Sequence, residues 1–475
     1  MRCAMLGLVA IVCLPTFALA EEGHDLLVHP ISILPFALLL LSIAILPLAA
    51  GHFWHKNSNK LIVALGISVP VLAYLIYLGA PGVHGLTESL LEYVQFITLL
   101  ASLYTVSGNI VLEGDLDPSP KVNIGLLALG AVLANLIGTT GASMLLIRPY
   151  LKINALRKFK GHLPVFFIFI VSNLGGLLTP LGDPPLFLGF LRGIDFFWTL
   201  NLWPQWLVGI GVVLAIFAVW EFSVFRKERA HGLENVPGVG RLRVLGSHNF
   251  AFLAGILAVI LSLSPELCAK VGMPAPAVMA ANIVGSDPAS LTPPLSAEIV
   301  RVALFVGPLL LLSALSLLTT PAQLRKENDF SWGAIIEVAV LFIGIFITMV
   351  PALALLKVHG GELGIRSPAS FFWATGILSS FLDNAPTYLT FATVAAEGQP
   401  FATLMTTKPL ILQAISVGAV FMGANTYIGN GPNFMVKAIA DEAGYETPSF
   451  FGYMLYSGLI LLPTFALITY LFFMP

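Results

Sequence analysis

The stretch that most constrains this chain is Ser172 to Phe187, SNLGGLLTPLGDPPLF, set inside an apolar segment long enough to cross a bilayer. Gly175, Gly176, Pro180, Gly182, Pro184 and Pro185 crowd it, and Asp183 lies among them. Proline removes an amide donor and glycine weakens a helix, so a helix breaks here and frees backbone groups that hydrocarbon cannot satisfy. Broken helices survive at membrane depth only where protein or a wet cavity surrounds them. A second stretch, Gly423 to Phe434, GANTYIGNGPNF, repeats the design. One constant offset lays Gly176 on Gly423, Thr179 on Thr426, Gly182 on Gly429, Pro185 on Pro432 and Phe187 on Phe434, with Asp183 opposite Asn430. Two breaks of one kind in corresponding halves point to a transporter's binding site.

Composition fixes the class. Of 475 residues 57% are hydrophobic and 10% charged, against about 25% charged in a soluble domain, so the chain is an integral membrane protein. Its net charge of -2 points to no partner. Cys3 and Cys13 precede any mature N-terminus and Cys268 stands apart, so no disulfide or metal framework follows.

Residues 1–20 carry Arg2, a short apolar core and Ala18-Leu19-Ala20, which reads as a signal peptide cut before Glu21 or as an uncleaved hydrophobic segment. Apolar spans follow at 31–50, 61–80, 91–112, 122–147, 163–198 and 203–222, then at 249–268, 300–319, 332–356, 368–396, 409–436 and 448–472. Lys and Arg collect on the cytoplasmic side. The basic loops 148–162 and 223–247 both fall inside only if 122–147 enters and returns. Its middle, Asn135 to Ser143 (NLIGTTGAS), supplies the tip of such a re-entrant hairpin, and Phe381 to Leu389 (FLDNAPTYL) supplies a second within 368–396. The expected fold is an all-α polytopic membrane protein of two inverted repeats, 31–222 and 249–472, joined by a cytoplasmic linker, 223–248. Each repeat has five spans, one hairpin and a broken helix at the midplane. Residues 270–296 read as an outside loop with a short surface helix.

Ionisable groups inside a membrane are functional candidates. The four motif-bearing segments hold two, Asp183 and Asp383, tentative ligands of a transported Na+. Around them stand neutral oxygens and amides: Asn135, Thr139, Thr140, Asn173 and Thr179 in the first half, Asn384, Thr387, Asn425, Thr426, Asn430 and Asn433 in the second. Hard cations take carboxylate, hydroxyl and carbonyl oxygens, whereas half-helix N-termini present amides to anions; the inventory suits a cation site, an anion site or both. The blander readings stand beside these. Small and hydroxyl residues line ordinary helix contacts; Asp383 is placed to cap a helix at a hairpin turn, and Asp183 to cap the half-helix starting at Pro184. Glu337, Glu88, Glu92 and Asp195 read as solvated span ends, and the histidines, His162 among them, as loop groups without metal spacing. No HExxH, nucleophile–base pair or phosphate loop stands out, so no enzyme chemistry is expected.

NLGGLLTPLGDPP (Asn173 to Pro185), SSFLDNAPT (Ser379 to Thr387) and Gly423 to Asn433 resemble the ion transporter superfamily, which includes NhaD-type sodium/proton antiporters, citrate and dicarboxylate carriers, and arsenite transporters. The resemblance covers most of the chain from residue 31 and is strongest for the NhaD type. It implies a secondary transporter of a bacterial-type inner membrane, exchanging Na+ and H+ with Asp183, Thr179, Asp383 and Asn384 as the ion site, or coupling a cation to citrate or a related carboxylate. Pro184-Pro185 after Asp183 and the GTTGAS tip depart from the patterns of those two branches and leave the cargo open between them. No resident cofactor is implied beyond the coupling Na+ or H+. The partners expected are a small ion or carboxylate substrate and the lipid bilayer, with a homodimer compatible and nucleic acid not expected.

Overall fold

Prolines open several of the helices. In the computed structural model, Pro120, Pro184, Pro368 and Pro409 each stand in a first helical turn, where the missing amide costs nothing. The structure describes residues 26–114, 116–230, 243–264, 267–268, 271–287, 294–328 and 330–474. The signal-peptide reading of residues 1–20 and the middle of the linker therefore lie outside the described residues.

Three helices lead, α1 (Leu34–Ala49), α2 (Asn57–Tyr77) and α3 (Ala80–Gly108), followed by a short strand β1 (Val111–Glu113). Next come α4 (Pro120–Ile153), α5 (His162–Ile170), α6 (Pro184–Leu191), α7 (Trp203–Ala230) and β2 (Arg243–Leu245). The second half holds α8 (Asn249–Leu261), α9 (Pro276–Val284), α10 (Leu295–Thr319), α11 (Gly333–His359), α12 (Pro368–Ser379), α13 (Asn384–Ala396), α14 (Pro409–Met422), α15 (Gly431–Glu442) and α16 (Phe450–Ile468). The chain is an all-α polytopic membrane protein. Among the described residues eight stretches are long and apolar enough to cross a bilayer, or nine if a pair bent by 117° between Thr407 and Pro409 counts as one.

One of the eight does not run straight. Within α4, Asn123 and Asn154 exchange amide hydrogen bonds at 2.9 and 2.8 Å, although along an unbroken helix they would lie about 46 Å apart. The chain reverses at Gly138, which has φ 77° and ψ 155°, a conformation open to glycine and strained for other residues. The tip falls inside Asn135 to Ser143. α12 and α13 pack against each other across the turn at Ser380 to Asp383.

The chain divides into two compact units that interleave in sequence. The first is Met1–Val106, described from residue 26, with Phe250–Thr319 and Ser331–Gly360. In it α11 packs on α1 and α2, with Gly344 against Ala64, and Phe96 stacks on Phe342 at 4.9 Å. Lys60, only 4% exposed, pairs with Glu337 at 2.6 Å, so Glu337, its side chain 37% exposed, is a solvent-reachable span end that also serves as the counter-ion of a buried lysine. The second unit, Ser107–Asn249, Thr320–Phe330 and Gly361–Pro475, carries both hairpins and both broken helices. There β1 pairs antiparallel with β2, Glu113 opposite Arg243, and α7 continues to Ala230, so both ends of the 223–248 stretch are structured. α8 stops at Leu261, short of the expected 268.

Candidate functional site

The two broken helices are built alike. After α5 a 3-10 turn covers Leu174–Leu178, and after α14 another covers Gly423–Asn425. Thr179 then lies at φ -140°, ψ 156° and Thr426 at φ -137°, ψ 164°. Asp183 at φ -144°, ψ 143° and Asn430 at φ -150°, ψ 142° precede α6 and α15. Gly182 approaches Gly176, and Gly429 approaches Gly423, so closely that an added Cβ would collide with backbone carbonyls. Carbonyls freed by the breaks are taken by the closing helices and the turn before α7. The Trp206 indole donates to Gly175 O at 3.0 Å and Thr199 to Leu178 O at 2.9 Å. Correspondingly, the Tyr453 hydroxyl donates to Ala424 O at 2.8 Å and Ser457 to Asn425 O at 2.7 Å.

Overpacking of this kind costs about 1–3 kcal/mol. Gly182→Ala and Gly429→Ala are therefore expected to lower the unfolding temperature of the detergent-solubilised protein. Gly431→Ala, with nothing within 4 Å of its added methyl, should leave it unchanged. Equal tolerance at all three positions would contradict the close approach of the chain at the breaks.

Each hairpin tip is pinned to the break of its own half. Thr179 donates to Asn135 O at 2.5 Å, and Leu178 N donates to Asn135 Oδ1 at 2.7 Å. In the second half Thr426 donates to Ser380 O, and Asn425 Nδ2 to Ser380 Oγ at 2.9 Å. Asn135 thus matches Ser380, and Thr139 matches Asn384.

At the crossing lies Asp183, 1% exposed. Its Oδ1 accepts from Thr139 Oγ1 at 3.1 Å and Asn430 Nδ2 at 3.3 Å, and its Oδ2 from Asn384 Nδ2 at 2.7 Å. One carboxylate therefore joins both hairpin tips and both breaks. Ser379 Oγ lies 2.8 Å from Asn384 Oδ1 and 2.6 Å from Ala419 O, its one proton shared between them, and the amide nitrogen of Asn384 faces Asp183. Asn430 also donates to Asn173 Oδ1 at 3.2 Å, Asn173 to Asn433 Oδ1 at 2.7 Å, and Asn433 to the carbonyls of Gly423 and Thr426, each at 2.9 Å. The donors on Asp183 are all neutral, so an ionised Asp183 leaves this buried set with a net negative charge. A buried charge without a counter-charge is costly, and a cation or a proton resolves it. Asp183 occupies the N-cap position of α6, but its carboxylate makes no cap bond; the three side chains claim it instead.

The remaining candidates are placed differently. Asp383 is half-buried, and its Oδ1 accepts from Ala385 N at 3.0 Å, capping α13. Thr387 donates back to Asp383 O at 2.9 Å. Thr140 sits half-buried beside Thr139. Asn425 keeps its Oδ1 buried without a hydrogen-bond partner. Among the described residues no group of three or more His, Cys, Asp and Glu gathers at metal-binding distance.

Sequence reasoning overlooked a second polar cluster, Arg157, His162, Glu221 and Glu228, which is buried in the same unit. His162, read as a loop group, bonds Glu221 Oε2 at 2.8 Å. Glu221, set in the apolar run of α7, was the available signal.

Residues 26–473 match a family model described as "Putative citrate transport". No curated individual protein matches the chain.

Proposed function

Because the chain belongs to this citrate-transport family, within the wider citrate and dicarboxylate ion transporter superfamily, we propose that it is a secondary active transporter in which Asp183 binds the transported or coupling cation. The observation that carries this reading is the geometry at Asp183. A buried carboxylate held only by Thr139, Asn384 and Asn430 binds H+ or Na+ in turn, and whichever cation enters must reorganise amides that belong to both hairpin tips. Sodium/proton antiport is the form that uses no further group. Asp383, at the N-terminus of α13, is a second carboxylate near the path, and Thr179, Asn135 and Thr426 hold the tips against the breaks. The two halves are oppositely inserted in this reading, which loop charge supports, and the membrane is a bacterial-type cell membrane. The chain moves an ion and performs no covalent chemistry.

The family match favours a second reading, cation-coupled uptake of citrate or a related carboxylate. Here the amides of Asn173, Asn384, Asn430 and Asn433 and the N-termini of α6 and α15 hold the anion, while Asp183 binds the cation that offsets its charge. Everted vesicles separate the two. Antiport gives Na+-dependent proton movement without citrate, whereas symport gives labelled citrate uptake that rises with a Na+ or proton gradient. Neither signal from protein that is folded and inserted would remove both readings.

A further inference from the structure

The overlooked cluster sits at the open end of the first hairpin, far from the tip that reaches Asp183. Arg157 lies in the short connection from α4 to α5, and its guanidinium grips both oxygens of Glu221, Nη1 on Oε1 and Nη2 on Oε2 at 3.0 Å. Asn123 of the first hairpin arm donates to Glu221 Oε1 at 2.7 Å, and its partner Asn154 accepts from Arg157 at 3.2 Å. Two turns along α7, Glu228 accepts the amides of Lys158 and Phe159 at 3.2 and 2.5 Å and lies 3.9 Å from Arg157 Nε. His162, the first residue of α5, completes the set through Glu221 and lies between the rings of Phe217 and Trp220. All four ionisable side chains are buried.

The repeat provides an internal control. Under the offset that superposes the two breaks, positions 157, 162 and 221 fall on Leu404, Pro409 and Ile468. The second half builds its own hairpin, break and closing helix without charge at these places, so the fold does not require the cluster.

Charge counting gives it a purpose. Glu221, Glu228 and Arg157 sum to one negative charge while His162 is neutral, and to zero when His162 is protonated. The other ionisable groups facing the set do not change that sum. Lys158, Arg226, Lys227 and Arg229 are exposed, and Lys160, half-exposed, lies over the Tyr445 ring at 4.4 Å. Tyr150 of α4 and Tyr445 are neutral phenols, and on α15 Lys437 closes on Asp441 at 2.5 Å. Buried ion clusters hold together when their charges balance and loosen when one is left over. Histidine is the side chain that gains or loses its charge within about pH 5–8.

We propose that Arg157, His162, Glu221 and Glu228 form a protonation-controlled latch at the base of the first hairpin, closed while His162 is charged, that regulates movement of the hairpin and hence of its Asp183-bound tip. Only the consequence for flux rests on the transport reading. The sign follows from the balance: the latch is closed on the acid side and loosens as pH rises.

Hydrogen exchange of the full-length protein in nanodiscs reads the latch directly. Protection of the amides of residues 154–162, corrected for intrinsic exchange, should fall ~10-fold or more between an acid and a mildly alkaline buffer. In His162→Gln, which cannot charge, protection should be low and flat across the same range. Wild-type protection that does not change with pH overturns the latch, as does a His162→Gln profile that keeps the wild-type slope. In proteoliposomes with equal pH on both sides, labelled Na+ exchange and citrate uptake should rise over the pH range in which protection falls in the wild type and lose that dependence in His162→Gln. A latch that titrates in protein that moves neither Na+ nor citrate at any pH sinks the transport reading and leaves the latch standing. Flux that ignores a titrating latch overturns its regulatory role.

Discussion

Replacing Asp183 by asparagine is expected to abolish Na+-dependent proton movement in everted vesicles, with the protein still folded and inserted. Three side chains donate to this carboxylate, and hydrogen bonds to a charged acceptor are worth about 1.5–3 kcal/mol each. An asparagine keeps an acceptor for Thr139 and Asn430, yet it turns an NH2 toward the NH2 of Asn384. Asn384 accommodates it only by turning its amide over, with Ser379 then directing its hydroxyl to Ala419 O at 2.6 Å. The variant also removes the only charge in the network, so nothing remains for a cation to neutralise, and the loss of a single charged hydrogen bond by itself corresponds to a fall of roughly 10- to 150-fold. Asp383→Asn is the informative partner. Asparagine caps a helix as well as aspartate does, so the bond from Ala385 N survives and the fold should be intact. Flux retained in Asp383→Asn and lost in Asp183→Asn assigns the exchange to Asp183 alone. Flux lost in both assigns it to the pair, and parental flux in Asp183→Asn would falsify the proposed site.

Much of the site was legible because the chain must break rules to build it. Gly176, Gly182, Pro184 and Asp183 have no business in a continuous apolar helix, and their counterparts Gly423, Gly429 and Asn430 recur at one offset. The first hairpin was legible for a different reason: the basic loop at 148–162 could not be reconciled with a full crossing, and Gly138 inside the segment offered a place to turn. What spacing could not separate was an aspartate whose carboxylate caps the next helix from one whose carboxylate turns to side chains of other segments. Both precede a short helix and both were open to either reading; the tertiary contacts divide them, Asp383 capping α13 and Asp183 turning to Thr139, Asn384 and Asn430. The carbonyl clamps of Trp206 and Tyr453 fall on each other under the offset and were findable from it.

The charged cluster was missed because loop arginines are counted toward orientation and then presumed solvated. Arg157 does lie in a basic loop, but its partner Glu221 is 64 residues away on another helix, a separation at which no local pattern exists. The pairing of Glu337 with Lys60 was missed for the same reason of distance, the two lying on different helices of the first unit.

Removing Arg157 should therefore cost far more than removing any exposed charge. Arg157→Leu leaves Glu221 and Glu228 buried with at most one positive partner, and breaking a buried ion pair from one side costs about 3–5 kcal/mol. Glu397, 64% exposed and 2.7 Å from Lys408, is the control, since pairs with so exposed a partner contribute roughly 0–1 kcal/mol. Thermal unfolding in detergent should rank Arg157→Leu well below Glu397→Gln. Restoring neutrality in the Arg157→Leu background, by Glu221→Leu together with Glu228→Gln, should recover most of the loss, because a buried ion cluster replaced as a whole by apolar groups is often neutral or better. The second half already carries Leu404 and Ile468 at the matching places, so an apolar version of this corner is one the architecture accepts. If the neutralised chain is as stable as the parent but its loop protection no longer responds to pH, the charges are there to switch and not to hold. If it stays unstable, Arg157 is holding the hairpin base by packing, and the pH response of residues 154–162 has to come from elsewhere.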